Sequence, residues 1–314
     1  MLYGRYSFSI LFEDNAILPE YKGSTFRGVF GHALKMVVCA LKRQDCLDCL
    51  LREKCIYPYT FETTPRPVTH DDPVRVSSPP HPYVIEPPDN VKTRYAKGDL
   101  FEFSLVLFGQ ANEHLPYFVY AFEQMGQTGI GKYVSGHRPS FVLKSVTAAG
   151  QTVYTDESKK ITSGHFTEDL SLACFETPDR FSRVELNLLT PLRFKYENHF
   201  INASLPFHVL IRAMLRRISS LCEYYGDGEP HLDYRGLVER AKGIEIGESS
   251  IRWYDWRRFS NRQDQAMLMG GMIGNVTYTG DLTEFLPLIR FCEKVHVGKQ
   301  TTFGLGKFAL KTLT

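Results

Sequence analysis

Gly304-Leu305-Gly306-Lys307 lies just before the last strand-like stretch of the chain, and Gly129-Ile130-Gly131-Lys132 has the same form in the first half. Each follows a helical stretch with a Leu-Pro step, Leu115-Pro116 in one case and Leu286-Pro287 in the other. Upstream of the first loop, Tyr6 to Glu13 alternates like a strand. From Phe26 the pattern changes: Phe26, Val29, Phe30, Ala33, Leu34, Val37 and Val38 recur at helical spacing, with Ser24 or Thr25 as the expected cap. Strands are predicted at Tyr83 to Ile85, Leu100 to Phe108 and Phe141 to Val146, with a helix from Leu115 to Met125. The order is βαββαβ.

The second half repeats it. A strand is predicted from Val184 to Phe194, and a helix from Pro206 carries Phe207, Leu210, Ile211, Met214, Leu215, Ile218 and Leu221 on one face. Strands near Ile244 to Trp256 and Ala266 to Tyr278, a helix from Leu282 to Lys294 and a strand from Lys307 to Leu310 complete it. A repeated element order with a repeated loop points to duplication within an α+β chain. The boundary is expected between Glu176 and Ser182, giving domains 1–178 and 179–314. The first domain also carries four clustered cysteines and a proline-rich excursion from Pro58 to Pro88.

With 314 residues and 43% hydrophobic content, the chain can bury a core in each half. Its 37 basic and 35 acidic side chains leave a net charge of +2, so any surface for a polyanion must be local. The start, Met1-Leu2-Tyr3-Gly4-Arg5, has no signal-peptide pattern and no apolar run reaches the length of a membrane span. A cytoplasmic protein with reduced thiols is expected.

The segment Gly298-Lys299-Gln300-Thr301-Thr302-Phe303-Gly304-Leu305-Gly306-Lys307 offers flexible backbone N–H groups and two lysines, which suits a phosphate backbone as well as it suits a tight turn. A dinucleotide or P-loop reading is disfavoured, because those motifs follow a strand and open a helix. His296-Val297-Gly298 together with this run and Phe308 resembles the C-terminal glycine-rich motif of the CRISPR repeat-processing endoribonucleases, members of the RAMP superfamily. The resemblance extends to Arg258-Phe259-Ser260-Asn261-Arg262-Gln263, Gly270-Gly271-Met272-Ile273-Gly274 and Thr190-Pro191-Leu192, and to the helix with Arg216-Arg217. In the first half, Lys22-Gly23-Ser24-Thr25-Phe26-Arg27-Gly28 is similar to the entry of the family's first helix.

The resemblance implies tandem ferredoxin-like domains, a repeat-RNA ligand and metal-independent cleavage that yields guide RNAs for antiviral defence. Such cleavage proceeds by attack of a ribose 2′-OH, leaving a 2′,3′-cyclic phosphate and a 5′-OH. It needs proton transfer and charge stabilisation. The resemblance places a catalytic histidine in or beside the first helix, and helical spacing turns His32 away from the apolar face with Gly28, Lys35 and Cys39. Tyr21 and Lys35 are its candidate helpers, and His296 is the rival at the mouth of the glycine loop. The candidate RNA contacts are Lys22, Arg27, Arg257, Arg258, Arg262, Gly298, Lys299, Gly304, Gly306 and Lys307. Arg212 and Arg216 form a further basic stripe, while Trp253 and Trp256 are expected to fill the core.

Cys39, Cys46, Cys49 and Cys55 have the spacing C-x6-C-x2-C-x5-C, for which structural zinc is the first expectation and an iron–sulfur cluster the second. Three functions compete. One is a repeat-specific endoribonuclease, one a non-cleaving RAMP subunit that binds guide RNA among other Cas proteins, and the last an iron–sulfur redox protein resting on the cysteines alone.

Overall fold

The computed structural model describes residues 1–42, 44–63, 79–88, 90–134, 136–196, 199–200, 204–260 and 265–313, with only the backbone described for 195–196, 199–200, 257–260 and 265–269. The chain divides into two units, Met1–Asp169 with Tyr224–Gly226, and Leu170–Glu223 with Asp227–Thr314. This division falls earlier than the expected change between 178 and 179. The short turn Leu172–Phe175 packs against the last helix of the second unit, which draws the segment after Asp169 to that side.

In the first unit, β1 (Leu2–Phe12), α1 (Gly23–Val38), β2 (Tyr83–Glu86), β3 (Leu100–Phe108), α2 (Leu115–Thr128) and β4 (Phe141–Ala148) follow one another in the predicted order. A further edge strand, β5 (Gln151–Thr155), carries no apolar signal in the sequence beyond Val153 and Tyr154. The sheet runs β2-β3-β1-β4-β5 with antiparallel neighbours, the order of a ferredoxin-like fold plus one edge strand, and the short strand Thr167–Asp169 also pairs with the start of β1. Alternation along β1 sends Tyr6, Phe8, Ile10 and Phe12 to the helices. There the Phe8 and Phe103 rings stack at 5.0 Å, Phe30 stacks on Phe122 at 4.5 Å and Phe26 on Phe101 at 5.1 Å. Pairs of this kind add about 0.5–1.5 kcal/mol each beyond their area burial, so α1 is seated by its aromatic face. Its cap differs from expectation. Lys22 occupies the N-cap and makes no side-chain capping bond, and Ser24 and Thr25 lie inside the helix.

The second unit contains β6 (Arg183–Leu192), α3 (Phe207–Tyr225), α4 (Tyr234–Arg240), β7 (Glu245–Ser249), β8 (Arg252–Ser260), β9 (Gln265–Thr279), α5 (Leu286–Val295) and β10 (Phe308–Leu313). Its sheet runs β7-β9-β6-β10, with β8 also paired to β9. With β7 and β8, both paired to β9, counted as one strand, both sheets have the order second, third, first, fourth, which makes the duplication a matter of topology as well as pattern. Under α3, Phe207 meets Tyr278 at 4.8 Å and Phe285 at 5.1 Å, and the buried Tyr278 hydroxyl donates to Leu205 O at 2.7 Å. The predicted strand near Ile244 to Trp256 is two strands, and the one-turn-plus helix α4 precedes them. No helix among the described residues is long and apolar enough to cross a membrane.

Candidate functional site

Because α1 buries Phe26, Phe30, Ala33 and Leu34, the residues opposite them stand outward. Gly28, His32 and Met36 form an exposed strip, and a Cβ placed on Gly28 would touch nothing within 4 Å. The imidazole of His32 is therefore reachable by a bulky ligand. A side chain meant to exchange protons with a phosphodiester requires this access.

The groups proposed around it separate. Tyr21 precedes the helix, and nine residues of α-helix between Gly23 and His32 span about 14 Å, so Tyr21 and His32 do not share one reacting atom. Lys35 turns toward the cysteine segment, with its ammonium 5.2 Å from the Tyr57 ring centre and hydrogen-bonded to Cys46. Burial works against its charge, but the Cys46 thiol, the Tyr57 hydroxyl and Cys39 hold it above the ordinary lysine range. Lys22 is a plain correction: only 1% of it is exposed, and its ammonium donates to Glu20 O at 3.0 Å and Asn90 O at 2.8 Å. Burial pulls its pKa down, opposed by the Glu20 carboxylate. It locks the chain entering α1 and does not face RNA. Arg27, half-buried, lays its guanidinium 5.2 Å over the Phe61 ring and beside the Tyr83 hydroxyl, which turns it away from His32 toward the packing under α1.

The glycine loop is firm rather than flexible. Thr190 Oγ1 donates to Gly304 O at 2.8 Å and accepts from Lys307 N at 2.9 Å. Gly306 N bonds Pro191 O at 3.1 Å, Lys299 N bonds Arg193 O at 2.7 Å and Gly304 N bonds Thr301 O at 2.8 Å. Those N–H groups are spent inside the protein, which removes Gly304 and Gly306 as phosphate donors. Their conformation is needed for the fold: Gly306 has φ 73°, and a Cβ there would lie 1.7 Å from Val297 O. The rival His296 is fully buried, with Nδ1 at 3.1 Å from Leu305 O, and it braces the loop from within. What the loop presents outward is exposed Lys299, with half-buried Gly298, Gln300 and Lys307.

The two halves align differently from their letters. Gly129 caps α2 with φ 81° and ψ 160°, and His296 caps α5 with φ 59° and ψ 158°. Lys132 N bonds Ile17 O just beyond β1, as Lys299 N bonds Arg193 O just beyond β6. Ile130 and Val297 are both fully buried between them. The partner of Gly129-Ile130-Gly131-Lys132 is thus His296-Val297-Gly298-Lys299, and the resemblance to Gly304 through Lys307 is one of composition. The counterpart of the glycine-rich run is the loop after Lys132. Pattern reasoning missed it, although it exposes Lys132, His137 and a Tyr133 ring that is 69% exposed, with the half-buried Arg138 guanidinium 5.3 Å above that ring. Its signal was the mixture of bases and one aromatic between glycines.

Arg257 and Arg258 lie on β8 where it pairs with Leu268 and Met267 of β9, and Arg262 falls outside the described residues. On α3, Arg212 and Arg216 are exposed one turn apart, whereas Arg217 donates to Val295 O at 2.9 Å and holds the end of α5. Arg193, also missed, places its backbone under Gly298 and Lys299 directly after Thr190-Pro191-Leu192. Trp253 and Trp256 are half-buried, with Trp253 Nε1 donating to Asp255 at 2.8 Å, so neither lies in the core where they were expected. The four cysteines of the cluster line one pocket of about 310 Å³ in the first unit.

Two ferredoxin-like domains in tandem, the second closed by a glycine-rich loop against its first strand, make up the architecture that the sequence resemblance implies. Residues 1–166, more than half of the sequence, match the AF_1859 N-terminal domain model, and the chain belongs to that family; residues 186–308 match the CRISPR-associated endoribonuclease Cas6. An uncharacterised protein of Archaeoglobus fulgidus is 26% identical over 302 residues, covering 94% of this chain and 93% of that one. Among solved structures, a Cas6 product complex shares the fold at TM-score 0.56 and 14% identity, covering 99% of both chains. A Thermus thermophilus Cas6 does so at 0.53 and 12%, covering 99% of this chain and 98% of that one. A partial Cas6-RT-Cas1–Cas2 complex matches at 0.59 and 15% over 99% of this chain, which spans 46% of that longer polypeptide.

Proposed function

We propose that this protein binds CRISPR repeat RNA and cuts it by attack of a ribose 2′-OH on the neighbouring phosphate, with no catalytic metal, leaving a 2′,3′-cyclic phosphate and a 5′-OH. The observation that carries the reading is the exposed His32 beside the bare Gly28 on α1 of a ferredoxin-like domain. Of the histidines weighed for the chemistry it is the one open to a phosphodiester, since His296 is buried. In this reading His32 moves a proton to or from the reacting oxygens. Lys299, Lys307 and the exposed Arg212 and Arg216 hold phosphates on the second domain, where Arg257 and Arg258 of β8 are further candidates. On the first domain the loop from Lys132 to Arg138 offers one stackable ring with basic neighbours. The Cas6 family match of the second domain and the Cas6 structures of like fold support the substrate class. The partner is repeat RNA, and other Cas proteins are candidate partners by analogy with the Cas6-RT-Cas1–Cas2 assembly.

Labelled cognate repeat tests this directly. Cleavage is expected to persist in chelator, to end in a cyclic phosphate, and to stop when the 2′-OH upstream of the cut is replaced by hydrogen. Continued cutting of the deoxy substrate contradicts the mechanism. One observation favours a second reading, a RAMP subunit that binds guide RNA without cutting. Tyr21 and Lys35 do not gather around His32, so neither of these two supplies a second proton donor there. Tight binding with no product at saturating protein would select that reading.

A further inference from the structure

The cysteine cluster takes no part in the proposed RNA chemistry and lies at the far end of α1 from its entry. Cys39 caps the C-terminus of α1, Cys46 opens a three-residue 3-10 turn, Cys49 closes it and Cys55 closes a second such turn. Four positions in a segment of this length thus present thiols from the ends of short elements, and all four line the same pocket. The rest of that wall is mainly apolar, including Val37, Val38 and Ile56, with Lys35 and Lys54 as its cations, and the Glu62 carboxylate reaches the Cys46 thiol. Lys35 hydrogen-bonds Cys46.

We propose that Cys39, Cys46, Cys49 and Cys55 bind one zinc ion as a closed four-thiolate structural site that pins the C-terminal end of α1. Cys46-x2-Cys49 in one turn supplies two sulfurs from the same side, the spacing of half a structural zinc site. Cys39 and Cys55 supply the other half, and four protein ligands leave no position for a water or substrate. Four thiolates around a divalent cation carry two net negative charges. Lys35 and Lys54 stand on the wall to offset them.

The segment also needs such a staple. Leu47 and Leu50 are 66% and 83% exposed, so it buries little apolar surface of its own. Its turns are closed by long bonds, Cys49 N to Cys46 O at 3.4 Å and Cys55 N to Arg52 O at 3.3 Å. Among the described residues, no three histidine, cysteine or acidic side chains converge closely enough to hold an ion as they stand. Ligation therefore draws the two turns inward, contracting the pocket around sulfurs about 2.3 Å from the metal. Zinc binding is then coupled to ordering of this segment and to the stability of the first domain.

The test uses full-length protein purified without chelator or added metal and analysed for zinc, iron and acid-labile sulfide. About one zinc per chain is expected, falling to roughly a tenth or less in Cys49→Ser and in Cys55→Ser and unchanged in Cys174→Ser, whose exposed thiol lies outside the cluster. Stripping the wild-type protein with a strong chelator should lower its melting temperature, and zinc alone should restore it. Metal-free wild-type protein whose melting is indifferent to zinc overturns the site. So does zinc retained by both cluster variants, and iron with sulfide in place of zinc overturns the choice of metal.

Discussion

Lys22 and His32 show how differently two ionisable residues of one helix can be used. Lys22 sits in the segment that resembles the family's helix entry, yet its ammonium is shut inside between two carbonyl groups. Hydrogen bonds from a charged donor contribute about 1.5–3 kcal/mol, and the buried carbonyls of Glu20 and Asn90 would be left without this partner. Lys22→Ala is accordingly expected to lower stability by about 1–3 kcal/mol while leaving the salt dependence of RNA binding unchanged. Denaturant unfolding and a salt titration check both halves of that statement. His32 has the opposite setting, because the apolar period that buries Phe26 and Phe30 turns it outward, and this much was legible from the sequence alone. The burial of Lys22 and His296 was not. Both are decided by chain segments distant in sequence, Asn90 for one and Leu305 with its loop for the other, and a periodicity argument does not see them.

At the scale of elements, most of the strands and helices follow from hydrophobic period because they lay one face on a core, β7, exposed throughout, being an exception. The elements that escaped, β5 and α4, are short, and little of either is buried. The correspondence of the glycine loops also escaped, for a physical reason. The likeness that matters is a cap with positive φ and extended ψ, followed three residues on by a lysine N–H bonded behind the first strand, and a histidine replaces the glycine in the second copy. Gly306 is predicted to be intolerant of any side chain: Gly306→Ala should cost about 3 kcal/mol or more, since backbone rather than a flexible side chain meets the new carbon. A thermal or denaturant melt measures it. The counterpart loop makes a separate prediction. Tyr133→Ala should weaken repeat binding by about 1–3 kcal/mol, the range for a lost base-stacking platform, with stability unchanged because the ring is 69% exposed. Equal affinity of variant and wild type would leave that loop without an RNA role.

The whole molecule consists of two copies of one fold with different side chains exposed on each. In the proposed function the first copy supplies His32 of its first helix for proton transfer and the second supplies Lys299, on its hydrogen-bonded loop, for phosphate binding. The net charge of +2 agrees with this arrangement, since it leaves recognition to local cations. The measurement that tests the division most directly is single-turnover cleavage of the cognate repeat by His32→Ala and Lys299→Ala, each at limiting and at saturating protein. His32→Ala should cut roughly 10²-fold or more slowly at saturation with its affinity preserved, as expected for a lost general acid or base. Lys299→Ala should bind more weakly, with a salt slope flatter by up to about one counterion, and recover its rate at saturation. A His32→Ala protein that cuts at the wild-type rate, or a Lys299→Ala protein whose rate stays lost at saturation, would contradict the assignment of chemistry to the first domain and binding to the second.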